Sequence, residues 1–551
     1  MSAANLTDLN RRWQALKTER ASWQPHWADI SRYLLPRNGR YFVSDRNKGW
    51  PRHNAIYDST ASRALRVLAA GMMSGMTSPS RPWFRLAVSD PALSAYPPVK
   101  TWLFAVTAGI EDVLARSNTY RVLHGIYEEL GAFGTAAALV ADDYQHVVHL
   151  HAFSIGEYAI ATDWKGEVCS LYREFDKTVA ELVAEFGLAN CSEVVKTAFA
   201  RGNLDQWVTL RHAIEPRQNR QAQQLDNSQM AWKSCYWESG RNDGQLLRES
   251  GYRSFPCLVP RWATQGGDVY GSSPGMEALG DIKQLQAQQL RKSQAIDYQA
   301  NPPLQVPASM KNRELEIFPG GISYFDANGP GVGIRSAFEV NLNLQALLLD
   351  IQDVRSRINA AFYSDLFMML ASQDQRMTAT EVAERHEEKM LMLGPVVERL
   401  NNELLDPLIE TVFSRLLQAG LLPPAPVELQ GHELNIEYVS MLAQAQKAVA
   451  VNDIDRFVMS LGQVAAVQPT VLDKFNADQW ADSYSDKLGI DPALIVSGPQ
   501  LALIRNQRAK QQQMAQQQAA MQQGSETLRN LGQTSTQAGS MAGDLLKGRS
   551  E

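Results

Sequence analysis

The chain has 551 residues, with 53 Lys and Arg against 59 Asp and Glu and a formal net charge of −6. That length allows several domains around a sizeable core, and the acidic balance excludes a protein that grips nucleic acid over its whole surface. No apolar run reaches the roughly 18 residues a membrane-spanning helix needs, and the charged, amphipathic opening MSAANLTDLNRRWQALKTER has no apolar signal core.

In chain order, Leu6, Leu9, Trp13 and Leu16 recur at helical spacing and predict a helix over 4–34, closed by Pro36. An Ala- and Met-rich helix is expected from Ser59 to Gly75, ended by the prolines of TSPSRPW. Two more follow at 97–116 and 119–131. Residues 137–175 mix β-branched and aromatic residues with turn signals at Asp163 and Gly166, which predicts a small antiparallel sheet. Helices at 176–187 and 190–201 come next, then strands through 204–262. A long helix is expected over 275–300, about 37 Å at ~1.5 Å per residue, stopped by Pro302 and Pro303. A Gly- and Pro-rich, strand-like insert covers 301–341, and a second long helix, about 44 Å, covers 342–371. So two long helices flank a compact β insert.

The stretch SQDQRMTATEV (372–382) then interrupts the apolar pattern. Its first half carries one cation, Arg376, and its second half shows the capping-box spacing Thr378 to Glu381. The apolar stripe Leu393, Val397, Leu400, Leu404, Leu408, Val412 and Leu416 marks another long helix. Pro395 and Pro407 lie inside it, so it should be kinked. More helices are expected over 432–499. The Gln-rich run 500–523 is helix-forming but marginal alone in water, and 524–551 reads as disordered.

The chemistry-bearing residues give weak signals. His149 and His151 share a strand face near His146, yet no carboxylate or cysteine completes a metal site, so ordinary strand histidines are the expectation. GPGVGIRS lacks the P-loop pattern, and no hydrolase or zincin signature occurs. Cys169, Cys191, Cys235 and Cys257 are widely spaced and never form C-x-x-C, which predicts buried free thiols rather than a zinc or disulfide framework. No cofactor is expected. Lys283, Arg291, Lys292, Arg355 and Arg357 on the long helices are solvated faces, partners of acids, intersubunit bridges or, where the architecture makes a channel, DNA-facing groups.

Three blocks carry a resemblance: IYDSTASRALRVLAAGMMSGMTSPSRPWFRL (56–86), VPRWATQGGDVYGSSPGMEALGDIKQL (259–285) and RMTATEVAERHEEKMLMLGPVVERLNNELLDPLIETVF (376–413). Over roughly 5–500 the chain resembles the portal proteins, or head–tail connectors, of short-tailed bacteriophages. The resemblance implies a mixed, mainly α fold with small β regions, non-enzymatic, forming a homo-oligomeric ring of about twelve subunits with closed symmetry. It implies a wing over 1–274, stem helices at 275–300 and 342–371 and a clip at 301–341. It further implies a tunnel loop at 372–378, a kinked tunnel helix at 379–431, a crown at 432–499 and a helical barrel at 500–523. The implied place is the portal vertex of a virion assembled in bacterial cytoplasm. The implied partners are double-stranded DNA, terminase, tail adaptor and tail tube proteins, and major capsid and scaffolding proteins.

A duplex that must slide rather than stick needs a mostly acidic or neutral wall with few cationic rings, because phosphate contacts are strong and sequence-independent. Gln373, Gln375 and Arg376 are the expected tunnel-loop contacts, the five stem cations further channel candidates, and Gly394 and Pro395 the hinge. The competing reading is a ring-forming head–tail adaptor or tail component that makes no DNA channel.

Overall fold

In the computed structural model, the described residues are 3–41, 54–94, 96–218, 226–241, 243–301, 303–305, 335–336, 344–371, 392–439, 458–465, 468, 470, 475–481, 496 and 498–533. The fold is mainly helical with several small antiparallel sheets. Two compact units are separable, the larger made of 1–87, 105–424 and 434–472.

The helix expected over 4–34 is two helices, α1 (Ala3–Arg20) and α2 (Gln24–Tyr33). Pro25 has no N–H for a continuing ladder and sits in the first turn of α2, where that donor is not needed. Then follow α3 (Thr60–Met76), β1 (Phe84–Val88), α4 (Pro91–Ser94), α5 (Pro97–Arg116) and α6 (Thr119–Phe133). Gly134 closes α6 at φ 75°, and a Cβ there would meet the Gly271 carbonyl oxygen at 2.2 Å.

The expected single sheet is two. β2 (Ala137–Asp143) pairs with β3 (Val147–Phe153) and with the short β9 (Cys257–Leu258). β4 (Tyr158–Thr162), β5 (Val168–Thr178), β6 (Trp207–Pro216), β7 (Trp232–Glu238) and β8 (Arg248–Tyr252) form a five-stranded antiparallel sheet in chain order. Strand alternation sorts its two faces. Tyr172, Ala213, Cys235 and Trp237 meet Leu6, Leu9, Trp13 and Leu16 of α1. Phe175, Leu210 and Tyr236 meet the helices α7 (Val179–Phe186) and α8 (Glu193–Ala200) on the other face. β5 continues to Thr178, which then caps α7 through a reciprocal bond pair with Glu181. That cap is why the expected helix start at 176 falls later.

Next come α9 (Pro274–Glu277) and α10 (Leu279–Ala300), then β10 (Leu304–Gln305) and β11 (Arg335–Ser336), which pair antiparallel. The rest of the expected insert lies outside the described residues. The helix expected over 342–371 is broken into α11 (Leu344–Ala361) and α12 (Ser364–Ala371). Tyr363 sits between them at φ 53°, a left-handed conformation that no helix interior tolerates. α13 (392–400), a π turn (Asn401–Leu405) and α14 (Asp406–Gln418) form one irregular run. All seven residues of the expected apolar stripe in this run are buried. The irregularity precedes Pro407, which offers no N–H to the carbonyl of residue 403, and the wide turn absorbs the gap. β12 (Leu434–Tyr438), in the span expected as crown, pairs with β1, and Arg85 meets Glu437 at 2.7 Å. Helix α15 (458–465) completes this unit.

The second unit comprises 88–104, 425–433 and 473–551, and contains α4, α16 (477–481) and α17 (Gly498–Gln533). The guanidinium of Arg505 grips the Asp478 carboxylate at 2.6 and 2.7 Å. α17 has 36 residues, about 54 Å by helical rise. It passes Gly524, where disorder was expected to begin, because one glycine costs only ~1 kcal/mol in a helix.

Candidate functional site

Helices α10 and α11 form an antiparallel hairpin. Arg357 meets Asp281 at 3.5 Å near one end, and Gln288 meets Asp350 further along. Ile282 and Leu285 of α10 and Ile351, Val354 and Ile358 of α11 supply its buried stripes. Asp58, at the entry to α3, ties both helices of the hairpin to the N-terminal region.

Asp58 is 8% exposed. Its Oδ1 accepts from the Thr60 backbone N–H at 2.9 Å and from the Thr60 hydroxyl at 2.5 Å. This is the local turn an aspartate two residues ahead favours, and it starts α3. Its Oδ2 accepts from Gln289 of α10 at 2.9 Å and from Arg355 of α11 at 2.7 and 3.1 Å. Gln286 of α10 completes the node: its carbonyl oxygen accepts from the Tyr57 and Asp58 backbone N–H groups, and its amide donates to the Asp58 carbonyl at 2.9 Å. Burial alone would raise the Asp58 pKa. The Thr60 and Arg355 bonds outweigh it and hold the carboxyl below its ordinary value. A groove of about 590 Å³ opens beside the node, lined by Tyr57, Arg63, Val67, Asn359, Asp365 and Met368 among others.

A second anchor fixes the π turn. Arg261, 4% exposed, forks onto Glu403: Nη2 reaches Oε1 at 2.6 Å, Nε reaches Oε2 at 3.3 Å, and the Arg261 backbone N–H adds 2.8 Å to Oε2. α12 docks on α3 more tightly still. A Cβ at Gly71 would lie 2.1 Å from Cγ of Phe367, so only glycine admits that ring. The Tyr363 ring, at the bend before α12, stands 6.3 Å from that of Trp262.

The stem cations expected from the sequence divide by this geometry. Lys283 pairs with Asp29 at 2.6 Å and lies over the Tyr33 ring, Arg355 is taken by Asp58, and Arg357 is shared between Asp281 and Asp353. Arg291 is exposed and Lys292 half-buried, with no carboxylate partner for either among the described residues. Gln373, Gln375 and Arg376 lie outside the described residues. Gly394 and Pro395 lie within the helical run of α13; the irregularity described in this run is downstream, at 401–405. His149 and His151 have rings 4.8 Å apart, and burial together with the His149 charge lowers the His151 pKa. No cluster of three metal-binding side chains occurs among the described residues. Cys191, Cys235 and Cys257 are buried free thiols, and Cys169 is half-buried. Burial pushes the Cys235 thiol up to about 12, which makes it inert at neutral pH. No helix of the described residues is long and apolar enough to cross a membrane.

The Asp58 node was missed as a site, although the D-S-T run that holds it stood out. The available signal was an aspartate two residues before Thr60 and the Gln286 and Gln289 pair, one turn apart on an otherwise apolar helix face.

The Asp58 and Arg261 nodes hold helices of distant parts of the chain to one another. The chain belongs to the family of bacteriophage head to tail connecting proteins, whose pattern it matches over residues 6–496. It is 60% identical over 529 residues to the "Probable portal protein" of Bordetella phage BPP-1, covering 96% of this chain and 95% of that one. It is 45% identical over 523 residues to the "Portal protein" of Salmonella phage epsilon15, covering 95% and 94%. Among solved structures, a chain of the "Neck of empty GTA particle computed with C6 symmetry" aligns with a TM-score of 0.36 at 10% identity, covering 83% of this chain and 96% of that chain.

Proposed function

We propose that this chain is the portal protein of a tailed bacteriophage, acting as a ring of about twelve copies at one capsid vertex. The ring is the channel for genome packaging and ejection and the docking site for terminase and tail. The observation that carries this reading is the near full-length relationship to two portal proteins from different phages. The fit of the charges supports the channel. Three of the five stem cations are already balanced by carboxylates of the same chain. Such a wall offers a duplex few strong phosphate contacts, so DNA slides past it. The residues 372–378 form the tunnel loop, with Arg376 as its cationic ring and Gln373 and Gln375 as uncharged phosphate contacts. Gly394 and Pro395 give the adjoining helix its hinge. The segment 301–341 is the clip that meets terminase and then the tail, 432–499 the crown, and 500–523, within α17, the helical barrel. Capsid and scaffolding proteins meet the wing.

Two measurements test this. An averaged electron image of the purified protein down its symmetry axis shows a ring with a hole wide enough for a DNA duplex; a closed or absent pore refutes the channel. Arg376→Ala leaves ring assembly intact and lowers packaging or DNA retention. Normal packaging and retention in that variant remove Arg376 from the mechanism.

A further inference from the structure

His212, on β6, is fully buried in the middle of the five-stranded sheet. The register sets it directly between Arg173 on β5 and Tyr236 on β7, and Tyr236 beside Arg248 on β8, so these four side chains share one face. The imidazole lies 3.8 Å from the Tyr236 ring at an angle of 8°, and the Arg248 guanidinium covers Tyr236 at 4.7 Å. Both ring nitrogens are engaged: Arg173 Nε is 3.3 Å from Nδ1, and Ser234 Oγ is 2.9 Å from Nε2. A guanidinium only donates, so Nδ1 is the acceptor and the ring's one proton sits on Nε2, donated to Ser234. The contacts of this histidine therefore require it to be neutral.

Arg173 is also a link between the two sheets. Its guanidinium lies 4.4 Å from the Phe153 ring of β3 and 4.2 Å from the Phe175 ring of β5. No carboxylate bonds to it among the described residues, so these rings and His212 are what hold it. His149 and His151 stand on the same face of β3 as Phe153.

The groups facing His212 oppose a positive charge on the ring. Burial, Arg173 and Arg248 together hold its pKa well below the ordinary value. Tyr252 of β8, which bonds to Ser234, and Cys257 of β9 are kept protonated by burial, so neither supplies a negative charge. Glu185 of α7 is taken by Lys177 and Arg248. Glu157, just before β4, attracts Arg173, and burial raises its own pKa. His149 and His151 add positive charge on the Phe153 side when they titrate.

We propose that His212 and Arg173 form a proton-operated latch: a solvent proton taken up at Nδ1 of His212 turns that acceptor into a donor facing Arg173 Nε, and the guanidinium leaves its place between Phe153 and Phe175, loosening β3 from the five-stranded sheet. The enclosed imidazole cannot turn away, so the half-buried arginine is the group that moves. A histidine with a depressed folded pKa gains its proton more readily in the opened state. The latch is thus closed above the unfolded value, about 6.5, and weakens as pH falls below it. One proton makes opening up to about tenfold more frequent per pH unit, or about 30-fold between pH 6.5 and 5. Asp58, with its lowered pKa, is still ionised at pH 5, so the clamp on α10 and α11 takes no part.

The test is hydrogen exchange of the full-length protein at neutral pH and at pH 5, corrected for the intrinsic exchange rate at each pH. Peptides covering 147–153 and 168–178 should lose up to about 30-fold in protection at pH 5, with 279–300 as an unchanged reference. Equal protection at both pH values, or an equal loss in 279–300, overturns the latch. His212→Gln keeps an acceptor for Arg173 and a donor for Ser234 but cannot titrate, so it should abolish the acid response, whereas His151→Gln should leave most of it. A full response in His212→Gln overturns the proposal. So does loss of the response in His151→Gln alone, which would move the switch to β3. Should His212→Gln fail to fold, the unsubstituted chain and His151→Gln decide between them.

Discussion

Replacing Asp58 by Asn changes one non-hydrogen atom and should loosen the hairpin. Asparagine can still accept from Thr60, but its amide nitrogen then faces Gln289 and Arg355, which are donors. Three bonds to Oδ2 are lost, at 2.7, 2.9 and 3.1 Å. Removing one partner of a buried ion pair costs ~3–5 kcal/mol. Arg355 is 45% exposed and regains water, so about 2–3 kcal/mol is the expected loss. At ~1.4 kcal/mol per factor of ten, that is a roughly 30- to 140-fold faster amide exchange. The assay is hydrogen exchange followed by mass spectrometry on peptides covering 282–290 and 350–358, at neutral pH. The acid arm fixes the cause. The folded-state pKa of Asp58 is depressed, so its contribution is complete above the unfolded value, about 3.9, and is lost as pH falls through the folded value. The two proteins should therefore converge in acid. Faster exchange confined to the first turn of α3, with α10 and α11 unchanged, would show that Asp58 caps a helix and anchors nothing.

Two further outcomes follow from the packing and the buried charges. Gly71→Ala should destabilise the fold by ~1–3 kcal/mol in a urea titration, since the new methyl would overlap the Phe367 ring; combining it with Phe367→Ala should cost clearly less than the sum of the two single changes. Burial, with Glu157 and Glu128 nearby, raises the Glu129 pKa well above its ordinary value. A raised acid costs stability as pH climbs from the unfolded value, about 4.3, towards the folded one. Glu129→Gln should therefore raise the melting temperature at pH 8 and leave it nearly unchanged at pH 4; an equal gain at both would remove ionisation as the cause.

Much of the helical framework is legible from apolar spacing alone, because that spacing is what burial demands. The stripe from Leu393 to Leu416 and the α1 quartet Leu6, Leu9, Trp13 and Leu16 are all in the core. The misreadings share a cause: a backbone event that side-chain periodicity does not report. Pro25 divides the first helix while the apolar rhythm continues across it. Tyr363 stops α11 by its left-handed φ, beside the fully buried Phe362, although tyrosine carries no stop signal in a sequence. The π turn at 401–405 preserves every apolar residue of the stripe and so leaves no mark on it. The third strand of the β2–β3 sheet comes from Cys257 and Leu258, more than a hundred residues after their partners Leu139 and Ala138. The anchor was hidden differently. A carboxylate and its cation 297 residues apart cannot be matched by spacing, which leaves Arg355 equally a solvated face, an acid's partner or a channel group.

The bend at Tyr363 gives the molecule a gearing ratio. α12 has eight residues beyond it, an arm of about 12 Å. A swing of roughly ten degrees at that single pair of torsions displaces the far end by about 2 Å, as simple trigonometry on the arm requires. Ala371 ends the arm, and the Gln- and Arg-bearing stretch that follows in the chain starts there. The Phe367 ring seated on Gly71 lies midway along that arm, so the same swing would have to drive the ring against the α3 backbone, and the docking holds the end of the arm in place.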